Sequence, residues 1–283
     1  MITSTLKGCQ KQCTRQYQTL ASSVNVMKPE ISATTNATNH RITEFQSFQL
    51  SHGHLLSHDD GLKENGFSAD VFGWKNDTFS SRDYNISDRS TSFGYINSGW
   101  CKLYDHSTNL SFDLCKGMYF SFPNIARYTI EPINNINDNE ENSGIINVDN
   151  NYFGIFTIGG PVEKTGRLNY IDGTNTNLII PPILHGDPCL NILYLDPNLE
   201  QTPHTHPSFR SGFVINGNGK CNLPSINKSF DFKPGTVFWI PEDLLHSFKS
   251  ENNRLDIMTF HPDSEFGPSH DQHPMMNNTI FDQ

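Results

Sequence analysis

The chain has 283 residues, enough for one large or two modest domains with real cores. It is 35% hydrophobic yet carries 20 Phe, 9 Tyr and 20 Gly, a mixture of aromatics and turn formers that points to a β-rich protein with polar loops. A formal net charge of -10 leaves no basic stripe for a nucleic-acid backbone, and no apolar run of about 18 residues is present to span a membrane.

Taken in chain order, residues 1–44 are rich in Ser, Thr, Asn and Gln with weak periodicity, and are expected to be disordered or loosely attached. Between Met1 and Pro29 stand Lys7, Lys11, Arg15 and Lys28 but no Asp or Glu. That acid-free composition is shared with organellar leaders, although a plain polar tail accounts for a stretch with one arginine. No charged start precedes an apolar segment, so secretion is not expected. The expected location is the cytoplasm, with mitochondrial import as the other candidate. Cys9, Cys13, Cys101, Cys115, Cys189 and Cys221 are then expected to be reduced. His52, His54 and His58 in "SHGHLLSHDDG" have no matching distal motif and are read as part of an exposed loop.

An internal repeat organises the rest. "SFDLCKGMYFSFP" at 111–123 and "SFDFKPGTVFWIP" at 229–241 align without a gap at an offset of 118, sharing Ser, Phe, Asp, Gly, Phe and Pro. Upstream, "GYINSGWCKL" at 94–103 and "GFVINGNGKC" at 212–221 are again alike. This implies two copies of one β domain, 45–165 and 166–283, with the Asn-rich acidic stretch 134–144 as a loop of the first. Short strands spaced by Gly, Pro and Asn turns predict two all-β, jelly-roll barrels.

The second copy carries the chemistry. In "QTPHTHPSFR", His204 and His206 stand at i and i+2, so on a strand their side chains share one face. Two neutral imidazoles converging on one spot suit a borderline divalent metal. In "GTVFWIPEDLLHSF", Gly235, five residues, Pro241 and then His246 set a third imidazole on an expected antiparallel neighbour, with Phe248 in the same phase as pocket lining. By the offset of 118, His246 corresponds to Tyr128, and His204 and His206 to Ile86 and Asp88, so the first barrel is expected to lack a metal site. The segment 261–274, with His261, Asp263, Glu265, His270, Asp271 and His273, is read as an extended tail over the barrel and not as a second metal cluster. Cys189 and Cys221 are expected to be buried structural thiols, and Tyr194, Phe213, Phe238 and Trp239 to be core or pocket wall.

"HTHPSFRSGFVING" followed by "GTVFWIPEDLLH" resembles the two signature motifs of the cupin superfamily, and the repeat extends the resemblance to a two-barrel member, a bicupin. Two departures stand out. Asp243 occupies the place of a usual glycine, which the loop is expected to tolerate. Arg210 occupies the register of the usual acidic ligand, and an arginine cannot ligate a metal. The metal would therefore rest on His204, His206 and His246 alone, with its charge balanced by an anionic small molecule and with Arg210 as a catalytic clamp on a carboxylate. The alternative for Arg210 is a side chain turned out to pair with Glu242 or Asp243.

Three-histidine cupins that are similar in this respect include ring-cleaving and thiol dioxygenases. The resemblance thus implies a non-haem Fe(II) dioxygenase acting on a small aromatic or thiol acid, with Mn(II), Zn(II) or Ni(II) as other metals and a homodimer as the assembly. A non-catalytic metal-binding or small-molecule-binding cupin, or a cupin lyase or isomerase, are the alternatives, since one fold supports many chemistries.

Overall fold

The computed structural model describes residues 41–60, 66–133, 141–264, 266–269 and 271. The expectation of a disordered start therefore falls mostly outside the described residues, as do residues 134–140 of the Asn-rich stretch. Residues 41–44, expected to be loosely attached, are tied in. Ile42 is buried in the core and donates its N–H to His58 Nδ1 at 3.1 Å, and Arg41 pairs with Glu242.

Among the described residues the regular structure is strands and two short 3-10 turns. The first half runs β1 (Gln46–Gln49), β2 (Gly53–Asp59), β3 (Ser68–Lys75), β4 (Phe79–Ser80), β5 (Thr91–Ser98), β6 (Trp100–Asp105), β7 (Leu110–Cys115), β8 (Tyr119–Pro123), β9 (Tyr128–Pro132), β10 (Ser143–Asp149) and β11 (Thr157–Gly159). The second runs β12 (Leu168–Asn169), β13 (Asn175–Ile180), β14 (Cys189–Leu195), β15 (Arg210–Asn216), β16 (Gly219–Leu223), β17 (Lys228–Phe232), β18 (Thr236–Ile240), β19 (Ser247–Ser250) and β20 (Leu255–His261).

These strands form two antiparallel sandwiches. A six-stranded sheet ordered β11-β8-β5-β10-β3-β2 belongs with a four-stranded sheet β4-β9-β6-β7. A seven-stranded sheet β1-β18-β15-β20-β14-β13-β12 belongs with the three-stranded β17-β16-β19. β1 lies in the span assigned from sequence to the first copy, yet it pairs with β18 of the second, Phe48 opposite Val237. The His52–His58 stretch is not a loop either. It forms β2, and His58 is buried with its ring 5.0 Å from Trp239 and 5.3 Å from Phe209. "GHLLSHD" alternates, and one face of it is needed by the core.

The repeat has a packing basis. Gly94 on β5 faces Phe120 on β8, and Gly212 on β15 faces Phe238 on β18. A Cβ added to Gly94 would sit 2.1 Å from the Phe120 ring, and one on Gly212 would sit 2.0 Å from the Phe238 ring. Each phenyl ring thus fills the space that a glycine vacates on the neighbouring strand, inside its own barrel. The flanking surface repeats too. Lys102 meets Asp113 across β6 and β7 at 2.5 Å, and Lys220 meets Asp231 across β16 and β17 at 3.0 Å.

Three apolar clusters follow from this layering. Trp74, Phe79, Phe120, Phe122 and Tyr128 fill the first barrel and are essentially inaccessible. Val214, Phe232, Phe238 and Ile257 fill the closed part of the second. Between the two large sheets lies a shared cluster in which Phe93 meets Phe260 at 5.1 Å and Ser211 Oγ donates to Asn147 Oδ1 at 2.7 Å. Tyr194, Phe213 and Trp239 belong to this seam, and Phe238 to the barrel interior, so all four are core. The described cysteines, Cys101, Cys115, Cys189 and Cys221, are free thiols. Among the described residues no helix is long and apolar enough to cross a membrane.

Two stability predictions follow from these contacts. Gly212→Ala should lower stability by about 2 kcal/mol through overpacking against Phe238, read as a drop in thermal midpoint. An unchanged midpoint would remove the packing explanation of the repeat. Asp149, buried at the end of β10, has its carboxyl pushed up to about 7 by desolvation, against backbone N–H groups that pull it down. Its folded pKa lies above its unfolded value, so its contribution is full below about pH 4 and is lost as pH rises through 7. Asp149→Asn should therefore stabilise the protein by on the order of 2 kcal/mol at pH 8 and leave it little changed at pH 4.

Candidate metal centre in the second barrel

His204 and His206 lie in a segment flanked by Pro203 and Pro207, neither of which has an N–H to give to a ladder. The segment consequently pairs through a single bridge. His204 N–H donates to His246 O at 2.9 Å, and His246 N–H donates to His204 O at 3.0 Å. This reciprocal pair puts the two side chains on one side of the bridge. Two residues further along the histidine segment, Asp243 N–H donates to His206 O at 2.8 Å, binding the turn of the second motif to the first. Asp243 takes a left-handed conformation with φ 57°, the geometry for which glycine is usual and which aspartate tolerates better than most residues.

The three imidazoles meet as expected. Their ring centroids are 4.7 to 5.3 Å apart, and their ligand atoms lie within 4.8 Å of one another, close enough for side-chain rotation to gather them about one ion. Their protonation is set by the backbone. His204 Nδ1 lies 2.9 Å from Thr202 O, and His246 Nδ1 lies 2.8 Å from Leu244 O. A carbonyl oxygen only accepts, so each Nδ1 carries the proton and each Nε2 keeps a lone pair for a ligand. Burial, with help from Arg210 and the neighbouring imidazoles, pushes His206 down to about 2. Burial likewise pushes His246 down to about 4, against the Leu244 carbonyl and with His204 and Arg210 adding to the shift. Rings that resist protonation suit a cation, because a metal and a proton compete for the same lone pair.

Arg210 opens β15 and is 3% exposed, in the wall of the cavity. Its Nη1 donates to Ser208 O at 3.1 Å, Ser208 Oγ at 2.7 Å and Phe209 O at 2.9 Å, which clamps the guanidinium against the turn before it. The outward alternative is not adopted; Glu242 pairs with Arg41 instead.

The histidines open into a cavity of about 290 Å³. Thr176, Asn191, Gln201, Thr259 and His261 add polar groups to its wall, and Leu178, Leu193, Ile240 and Phe248 add apolar ones. Leu168, Tyr170 and Phe266, each 40% exposed or more, stand among its lining residues toward solvent. Among the described lining residues none is Asp or Glu. Phe248 lines the cavity as its phase predicts. Cys189 and Cys221 are buried outside it, with burial pushing the Cys189 thiol up to about 12, and both fit the structural reading.

Two sequence readings are corrected here. His261 does not begin a tail: it ends β20, and its ring lies 6.3 Å from that of His206 inside the cavity. The signal was present in "LDIMTFH", where Leu255, Ile257, Thr259 and His261 alternate in one phase, the first two in the barrel interior. Glu265, His270 and His273 of the same stretch lie outside the described residues. The second correction concerns the first barrel. Tyr128 does stand where His246 does, but its backbone partner is Ser81, whose N–H reaches Tyr128 O at 3.1 Å. Ser81, not Ile86, therefore occupies the place of His204. The stretch from Ser81 to Gly94 spans 13 positions against 8 from His204 to Gly212, so a constant offset fails there. Among the described residues no cluster of three ligand side chains forms in that barrel.

Comparison with known proteins agrees with this architecture. Residues 195–267 match the family model of the AraC-like ligand-binding domain. Among curated protein sequences there is no significant match. Solved structures of similar fold include a putative glyoxylate-induced protein from Pseudomonas aeruginosa, at 12% identity and a TM-score of 0.57 over 83% of this chain and 94% of that one. The protein Ylba from E. coli is similar at 16% identity and a TM-score of 0.54, over 80% of this chain and 96% of its own. A variant of salicylate 1,2-dioxygenase from Pseudoaminobacter salicylatoxidans, in complex with gentisate, is similar at 10% identity and a TM-score of 0.51, over 89% and 80%. Two sandwiches in tandem, both motifs meeting in the second, and this set of likenesses show that the chain has a two-barrel cupin fold.

Proposed function

We propose that the second barrel holds a divalent metal, Fe(II) foremost, on His204, His206 and His246, and that the protein is a dioxygenase acting on a small organic acid. The observation that carries this is a cavity wall bearing three convergent neutral imidazoles and an arginine, with no carboxylate among its described residues. Neutral ligands leave a bound dication its full charge, and that charge favours an anionic ligand. With His204, His206 and His246 holding it, a ferrous ion would supply Lewis-acid and oxygen-activating chemistry for such an acid.

The residues of the chain do the rest. The Thr202 and Leu244 carbonyls hold the Nδ1 protons of His204 and His246, keeping both rings turned with Nε2 inward. Arg210, fixed by three bonds to its own turn, brings positive potential to the same wall and orients a carboxylate without reorganising. Leu168, Tyr170 and Phe266 shield the polar floor from bulk water.

A second reading, a binding protein whose metal or ligand is held without turnover, draws support from the match to a ligand-binding domain. Elemental analysis and oxygen uptake separate the two. The purified protein should carry about one metal per chain, and His206→Ala should weaken metal binding by about 100-fold or more. With Fe(II) and a panel of aromatic and thiol acids, oxygen uptake should appear and vanish in that variant. Tightly held zinc with no uptake for any acid would leave the binding reading standing. Arg210→Lys should retain the metal yet weaken carboxylate binding by about tenfold or more, because an ammonium does not reproduce the fixed fork.

A further inference from the structure

The hydrogen bonds around His261 fix which of its nitrogens carries the proton. Thr176 Oγ1 donates its only proton to Ile192 O at 2.9 Å, and a carbonyl can do nothing but accept it. Thr176 Oγ1 must then accept from Asn191 Nδ2, 3.3 Å away. The Asn191 amide is thereby oriented with Oδ1 toward His261 Nε2, at 3.2 Å. An amide oxygen accepts, so Nε2 carries the proton of the neutral ring and Nδ1 keeps its lone pair. Among the described residues Nδ1 has no hydrogen-bond partner, and it is not one of the buried polar atoms closed off from solvent. The ring itself lines the cavity beside His206.

We infer that His261 is a specificity-determining residue of this site: its Nδ1 accepts a hydrogen bond from the ligand, so the site selects organic acids that also carry a hydroxyl or other donor group. The inference rests on the anion-binding reading of the cavity and adds to it a second recognition point. Four strands define that point, since Thr176 is on β13, Asn191 on β14, His261 on β20, and Arg210 on the adjoining β15. A polar atom built to receive a hydrogen bond penalises a ligand that cannot supply one, because the acceptor is then left dry. A ligand with only a carboxylate would satisfy the positive floor and leave His261 unsatisfied.

The test is calorimetric binding of benzoate and of the three monohydroxybenzoates to the zinc-loaded full chain, a redox-inert metal being used so that nothing turns over. At least one hydroxybenzoate should bind the unaltered protein tenfold or more tightly than benzoate. His261→Phe keeps a ring without an acceptor and should bring that ratio close to one, through weaker hydroxybenzoate binding and relief of the unsatisfied acceptor that penalises benzoate. His261→Asn, whose Oδ1 falls near the position of Nδ1, should keep most of the ratio, which guards against a fold defect in the Phe variant. A preference that survives in His261→Phe, or no preference in the unaltered protein, would overturn the inference while leaving the anion site intact. Failure of all four acids to bind zinc-loaded protein would overturn both.

Discussion

The two backbone hydrogen bonds exchanged by His204 and His246 are the constraint on which the site depends. The residues are forty-two positions apart in the chain. Nothing in local propensity brings them together. Prolines on either side of the histidine pair stop the segment from becoming a regular strand, so it holds to its neighbour at one bridge and at the Asp243–His206 contact. The same carbonyl-rich surroundings then set the tautomers of two rings. Register and protonation state thus come from one feature, a short irregular segment laid against the turn after β18.

The two barrels share a plan and differ in what occupies the interior. The Gly94–Phe120 and Gly212–Phe238 pairs do the same packing in each. In the first barrel Trp74, Phe79, Phe122 and Tyr128 close the remaining space, and Ser81 takes the position of His204. Fully burying an aromatic side chain contributes about 2–3 kcal/mol, so this interior favours stability over access. In the second, imidazoles, Thr259 and Asn191 replace that aromatic filling at one end, and polar groups around open volume cost stability. The seam between the large sheets, with Phe93 against Phe260 and His58 against Trp239 at 5.0 Å, joins the filled barrel to the open one. The first barrel can thereby lend the second some of the rigidity that its own open end lacks.

Much of this was legible in the residues. The repeat marked by "SFD" and by a glycine before an aromatic strand encodes side-chain packing that each copy must satisfy, so it survives in sequence. The histidine pair and His246 were legible because their spacing is tied to a turn of fixed geometry. What the sequence hid depends on segment length and on alternation. A constant offset placed Ile86 opposite His204, and only backbone pairing reveals Ser81. The crossing of β1 to the other sheet leaves no mark in composition, because "QSFQ" suits any edge. His261 was hidden by its prolyl, polar aftermath, although the alternation before it carried the signal.

The replacement of an acidic ligand by Arg210 changes more than the ligand count. A carboxylate in that register would neutralise part of a metal's charge and compete with an incoming acid for it. An arginine in the same register does the opposite and cannot bind the ion at all. Its Nη1 is committed to Ser208 and Phe209, so the guanidinium is a fixed element of the wall and not a mobile arm. A fixed positive group costs little to orient when a negative ligand arrives, and it adds to the burial that holds His206 in the deprotonated form a metal needs. The same charge that forbids Arg210 from being a ligand therefore works with burial to keep the neighbouring imidazole available as one.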